Sequence, residues 1–120
     1  MALVTTRCKN LATFMDGAAA TTITVTLPAP GAGLAWLIRT IWLKMVGTVT
    51  AFDVQVQDSA STVLAVAGGQ VGGATNGSLP AHVPLVGPCC TKANDAPKVI
   101  LTATGATQVN VTVHAELVNG

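Results

Sequence analysis

The stretch LAWLIRTIWLKM, Leu34–Met45, constrains the fold of this chain more than any other. It is the most apolar run, it contains both tryptophans, and Arg39 and Lys44 lie inside it. A membrane-spanning helix needs ~18 or more apolar residues, and the two cations interrupt this run too early. An amphipathic helix fails as well. At ~100° per residue, Trp36 and Trp42 fall on nearly opposite sides and no polar face forms. A strand fits. In unbroken alternation Trp36, Ile38, Trp42 and Val46 share one face with Thr40 and Lys44, while Leu37, Ile41, Leu43 and Met45 share the other with Arg39. Both faces are then largely apolar. A strand of a two-layer sandwich buries one face within its own domain. The second face is therefore expected to meet a loop, an N-terminal arm or another subunit.

The neighbouring segments also read as strands. In Thr21–Leu27, Ile23, Val25 and Leu27 alternate with threonines, and PAPGAG ends the run because proline lacks a ladder donor. Gly47 marks a turn or bulge. Thr48–Asp58 alternates well and forms a hairpin with Thr62–Ala67 across the turn between them. Gly68–His82 is expected to be a long glycine-rich loop, followed by a short strand at His82–Val86, where Pro84 suggests a sheet edge. GPCCTKANDAP reads as loop. Lys98–Thr104 and Thr107–Leu117 are expected to form a hairpin about Gly105-Ala106, the second with the cleanest alternation in the chain. Residues 1–20 read as an irregular N-terminal arm, in which MALVTT fits a short strand and RCKNLATFMDGAAA has no clean period and room for one helical turn. The expected fold is all-β: an antiparallel β-sandwich of seven or eight strands, jelly-roll-like, with the arm at 1–20 and a single domain at 21–120.

Composition bears on what such a fold does. Charged residues make up 9% of the 120, against ~25% in an ordinary soluble domain. Half of the residues are hydrophobic, yet there are only two Phe, two Trp and no Tyr, so a thin, sheet-built core is expected. A surface so poor in charge tends to associate, which points to cover by other subunits. The net charge is +1, from six scattered Lys and Arg against five acids, which argues against a nucleic-acid partner and against an anionic membrane surface. Three cysteines, Cys8, Cys89 and Cys90, do not make a disulfide framework, and MALVTTRCKNL lacks the pattern of a signal peptide. Synthesis and folding in a reducing cytoplasm are expected, and the two glycosylation-like triplets at Asn76 and Asn110 read as chance.

Chemistry is sparse. The five acids, Asp16, Asp53, Asp58, Asp95 and Glu116, form no recognisable pair. Asp53 and Glu116 both fall on outward faces, where a solvated role is the simpler reading. His82 with Cys89-Cys90 is a loose metal candidate without a Cys-x-x-Cys spacing. No Gly-x-Ser-x-Gly occurs, and the glycine-rich segment lacks the Gly-Lys-Ser/Thr ending of a phosphate loop. No catalytic residue, metal or cofactor is expected, and the chain reads as a non-enzyme.

From Thr48 to Gly120, the Ala/Thr/Val/Gly-rich strands AFDVQVQDSASTVLAVAG and APKVILTATGATQVNVTVHAELVNG, with the terminal V-x-V-x-V run, resemble small β-sandwich virion proteins of tailed bacteriophages, the capsid decoration or cement proteins. The resemblance implies a homotrimer on the capsid exterior, made in the host bacterial cytoplasm, that binds major capsid protein and stabilises the head. Fibre and tail modules that bind host glycan have a similar texture and form the alternative. The residues expected to make subunit or capsid contacts are Leu3, Leu11, Phe14, Met15, Trp36, Arg39, Trp42 and Lys44.

Overall fold

In the computed structural model the backbone is described for residues 2–5, 11–75 and 78–120, and side chains for 11–69 and 91–120. The described residues form seven strands: β1 (Ala2–Thr5), β2 (Leu11–Ala18), β3 (Thr22–Thr26), β4 (Leu34–Gln57), β5 (Val63–Thr75), β6 (Ser78–Cys90) and β7 (Lys98–Asn119). Every pairing is antiparallel. No helix of the described residues is long and apolar enough to cross a membrane.

Two strands organise the rest. β4 and β7 run for 24 and 22 residues, where ~5–6 is usual. They pair along their whole length, and their register slips where Gly47 of β4 meets Ala106 of β7. Gly47 and Gly105 lie at that slip with φ of 122° and 88°, a region that side chains rarely adopt. A Cβ on Gly105 would lie 1.9 Å from the Thr48 carbonyl oxygen, and one on Gly47 would lie 2.9 Å from that of Gly105. Only glycine lets the two backbones approach this closely as both strands bend.

The bend divides the sheet into two halves. The first has the order β1–β2–β7–β4–β6 and uses Leu34–Val46 of β4 with Gln108–Asn119 of β7. The second has the order β3–β7–β4–β5 and uses Ala51–Gln57 with Lys98–Thr104. Phe14, Trp36, Ile38, Ile41, Leu43, Met45, Val109, Val111 and Val113 face inward from the first half, and Ile23, Val25, Val54, Val56, Val99 and Leu101 from the second. They form one continuous core cluster, so the apolar faces of the two halves close on each other. Small residues fill much of it, as the composition suggests.

The Leu34–Met45 stretch does not present two apolar faces. Its register against β7 slips between Ile38 and Thr40, so that Arg39 is an extra, bulged residue. The bulge reverses the alternation. Trp36 and Ile38 face in before it, and Ile41, Leu43 and Met45 face in after it. Leu37, Arg39, Thr40, Trp42, Lys44 and Val46 take the other face. One mixed face remains where uninterrupted alternation gave two apolar ones.

Three further expectations are corrected. Lys98–Asn119 is one bent strand, not a hairpin, because Gly105 is held against β4 on the same side throughout. Gly68–Thr75 and Ser78–His82 are strand, not loop, since their backbone groups pair with β4. Among the described residues of the first 20, Ala2–Thr5 and Leu11–Ala18 are strand rather than irregular arm. β2 pairs with β7 over eight residues and places Ala12 and Phe14 in the core, and β1 pairs outside it. Removing residues 1–15 would therefore take core with it. The expected hairpin between Thr48–Asp58 and Thr62–Ala67 is present as β4 and β5.

Candidate contact surface

The outward residues of the first half-sheet lie in rows set by the register. Leu11, Glu116 and Leu37 form one row, and Thr13, His114 and Thr40 the next. Met15, Thr112 and Trp42 follow, then Gly17, Asn110 and Lys44. On β6, His82 is the backbone partner of Trp42. Met15 and Trp42 are each 46% exposed, which is unusual for side chains of this size. Thr112 lies between them and is half-buried. The Thr13 hydroxyl and His114 Nδ1 are 3.2 Å apart. Arg39, displaced outward by the bulge, donates from Nε and Nη2 to the Glu116 Oε2 at 2.8 and 2.5 Å. This face thus combines a large aromatic and a thioether with hydroxyl, amide and imidazole groups, and its acid is neutralised.

Five of the eight expected contact residues, Leu11, Met15, Arg39, Trp42 and Lys44, share this face. Phe14 and Trp36 do not. They are 1% and 4% exposed and pack edge-to-face in the core with ring centroids 5.2 Å apart. The Trp36 indole N–H donates to the Pro28 carbonyl at 2.7 Å, which satisfies the only polar atom of the buried ring system. Leu3 pairs through its backbone with Phe14 in the β1–β2 ladder, and its side chain lies outside the described residues. The sequence reading missed Thr13, Asn110, Thr112, His114 and Glu116. The clean alternation of β7 had already turned the last four outward, but nothing local said that they lie beside Trp42.

Two of the remaining acids, Asp58 and Asp95, have structural work. Asp58 is 8% exposed and directly follows β4. Its Oδ1 accepts from the Ala60 and Thr62 backbone N–H groups at 2.9 and 2.8 Å, closing the β4–β5 turn. The Thr62 hydrogen bond holds the carboxyl below the usual aspartate range against the opposing effect of burial, and the Lys92 ammonium at 3.7 Å adds to the lowering. Asp95, 5% exposed, accepts from the Ser59 backbone N–H at 3.1 Å and from its hydroxyl at 2.5 Å. Thr91 accepts from the Trp36 backbone N–H at 3.2 Å, and its own N–H donates to the Trp36 carbonyl at 2.9 Å. The Thr91–Pro97 connection therefore ties the first half-sheet to the turn of the second. Asp53 and Glu116 lie in different halves, so they do not face a common cleft. Among the described residues no group of three or more His, Cys, Asp or Glu is placed to hold a metal ion. The side chains of His82, Cys89 and Cys90 lie outside them.

No family model and no curated protein matches the chain. Solved structures do resemble it. One is the broad bean stain virus, with 8% identity, a TM-score of 0.44 and coverage of 100% of this chain and 94% of that one. A second is the acid-stable capsid of Helicobacter pylori bacteriophage KHP30, at 11% identity and a TM-score of 0.35, covering 88% and 99%. A third is the enzymatically active domain of bacteriophage CBA120 tailspike protein 4, at 11% identity and a TM-score of 0.44, covering 89% of this chain and 16% of that one. The chain thus spans about a sixth of the tailspike it matches. All three likenesses are weak and are of β-fold alone.

Proposed function

We propose that this chain is a structural virion protein, a capsid decoration protein that binds the major capsid protein on the exterior of a tailed-phage head and stabilises the shell. The observation that carries this reading is the outer face of the first half-sheet. Met15 and Trp42 stand exposed on it among mostly uncharged polar groups, with the Arg39–Glu116 pair at its margin and Lys44 as a further cation in the row after Trp42. Protein contact patches are enriched in Trp, Met and Arg and depleted of unpaired charge. The low charge of the chain as a whole agrees with a molecule that works in contact with others. The strand order supports a jelly-roll reading. β1–β2–β7–β4–β6 and β3–β7–β4–β5 make a five-stranded and a four-stranded half-sheet, with β4 and β7 each serving both, so that setting aside the four-residue β1 leaves the eight segments of a jelly roll. Jelly rolls serve in capsids and in lectins. The role is mechanical and non-catalytic in this reading, since Asp58 and Asp95 are committed to turns and Glu116 to Arg39.

The test is co-sedimentation with shells of the major capsid protein encoded in the same genome. Wild type should pellet with the shells, and Trp42→Ala should lose at least tenfold in affinity while folding normally. Failure of the wild type to bind would overturn the reading.

One observation favours a second reading. An exposed indole beside Thr13, Asn110, Thr112 and His114 offers a stacking surface flanked by hydrogen-bonding groups, which suits a sugar ring. A glycan-binding tail or fibre module would show quenching or enhancement of Trp42 fluorescence on titration with its glycan, and a decoration protein would not.

A further inference from the structure

A different part of the molecule faces the opposite problem: a sheet edge with nothing to close it. The two half-sheets have four edges, β1 and β6 in the first and β3 and β5 in the second. Exposed edges recruit other strands unless they are short, charged or interrupted by proline. Three of the four are blunted in these ways. β1 has four residues and β3 five, the latter followed by Pro28 and Pro30. β6 carries Pro80, Pro84 and Pro88, each without an N–H to offer.

β5 has none of these features. It runs for 13 residues, VLAVAGGQVGGAT, with no charge and no proline. Among the described residues it pairs only with β4. Val63, Leu64 and Val66 are 48%, 39% and 61% exposed, making three of the five exposed large apolar side chains of the described residues. A slip in register after Val63 bulges the strand at Leu64, a second lies between Gln70 and Thr75, and pairing with β4 is regular over the six residues from Ala65 to Gln70. The regular part offers an unbroken row of backbone donors and acceptors.

We propose that the free edge of β5 pairs antiparallel with the same edge of a second copy across a twofold axis, joining two four-stranded half-sheets into one of eight strands. Backbone pairing of this kind demands another strand as occupant, and main-chain hydrogen bonds supply the affinity. The second copy is the occupant because its β5 is the one edge of matching length that also lacks proline. A strand with no charge meets itself without repulsion, and with the twofold axis at Val66 the pairing sets the exposed Val66 of one chain against Val66 of the other. A twofold contact gives even subunit numbers and so departs from the homotrimer that the family resemblance implies. The inference does not rest on the virion reading, because it concerns another face and needs no capsid.

The experiment is solution mass by light scattering over a range of concentrations. Wild type should give twice the 12.0 kDa of one chain. Val66→Lys and Val66→Glu should each give the mass of one chain over the same range, because like charges meet across the axis. Mixing the two variants should restore the double mass, and Thr24→Lys on the exposed face of β3 should leave it unchanged. A wild type that stays single, a mass of three chains, variants that remain double, or a mixture that fails to recombine would each overturn the pairing. Should a variant fail to fold, hydrogen exchange of the wild type decides. The Ala65–Gly69 amides should exchange more slowly above the association midpoint than below it, and equal rates would refute the proposal.

Discussion

Asp58 shows how one side chain decides a local structure that the sequence marks only as a turn. Its carboxylate accepts two backbone N–H groups within the five residues from Asp58 to Thr62 and faces Lys92. Those contacts favour the ionised form, so its pKa in the folded protein lies below the unfolded value of ~3.9. A depressed carboxyl pKa contributes stability that is fully present above the unfolded value and is lost as pH falls through the folded one. Asp58→Asn should therefore lower the urea midpoint at pH 6, and the gap between variant and wild type should close as pH is taken below ~4. Urea titrations at pH 6 and at successive steps below pH 4 check this, and a gap that stays constant across that range would contradict the assignment. Spacing alone gave no way to tell Asp58 and Asp95 from the exposed acids. Both are polar residues in loop-like sequence, and only the packing of two distant connections against each other buries them.

The long strands were legible as strands and illegible as long. Alternation in Lys98–Thr104 and in Thr107–Leu117 was correct on each side of Gly105, with Val99, Leu101, Val109, Val111 and Val113 all buried. A Gly-Ala step between two alternating runs reads as a two-residue hairpin. Here the positive φ of Gly105 serves a bend, and the distinction lies in β4, which supplies a partner on both sides. The Arg39 bulge is the same kind of event in the Trp36–Met45 run. One extra residue shifts the parity, and each half of the run keeps its own correct alternation. The bend makes a strong demand on sequence. Placing a side chain at φ of 88° costs ~1–3 kcal/mol, and the Cβ of alanine would also overlap the Thr48 carbonyl. Gly105→Ala should destabilise the protein by about 3 kcal/mol or prevent folding, whereas Thr107→Ala two residues on, at an exposed position, should cost under ~1 kcal/mol. Thermal or urea unfolding of the pair measures it, and equal effects would remove the bend from its central role.

Taken as a unit, the molecule is held together by contacts between the ends of its chain. β2 pairs with the last strand, β4 lies between β7 and strands that follow it, and the core draws on every strand from β2 to β5 and on β7. An all-β architecture was readable from alternation and from the lack of any helical period. The pairing was not, because it depends on register between segments far apart, and nothing in either segment names its partner. The same separation governs how the chain folds. Before β4 and β7 can pair, the connection from Gln57 to Lys98, about a third of the chain, must close, and that entropy is lost before the apolar faces meet. Sandwiches dominated by such non-local pairing fold in milliseconds to seconds, slower than helical proteins of equal stability. Trp36 is a suitable reporter, since its indole reaches the Phe14 edge and the Pro28 carbonyl only when β2, β4 and the β3–β4 connection have come together. Stopped-flow refolding followed by fluorescence of a Trp42→Phe variant, which leaves Trp36 as the sole tryptophan, should give a main phase in that range. A relaxation complete within microseconds would mean that Trp36 finds its place from local contacts, and that the long β4–β7 ladder is not what folding waits for.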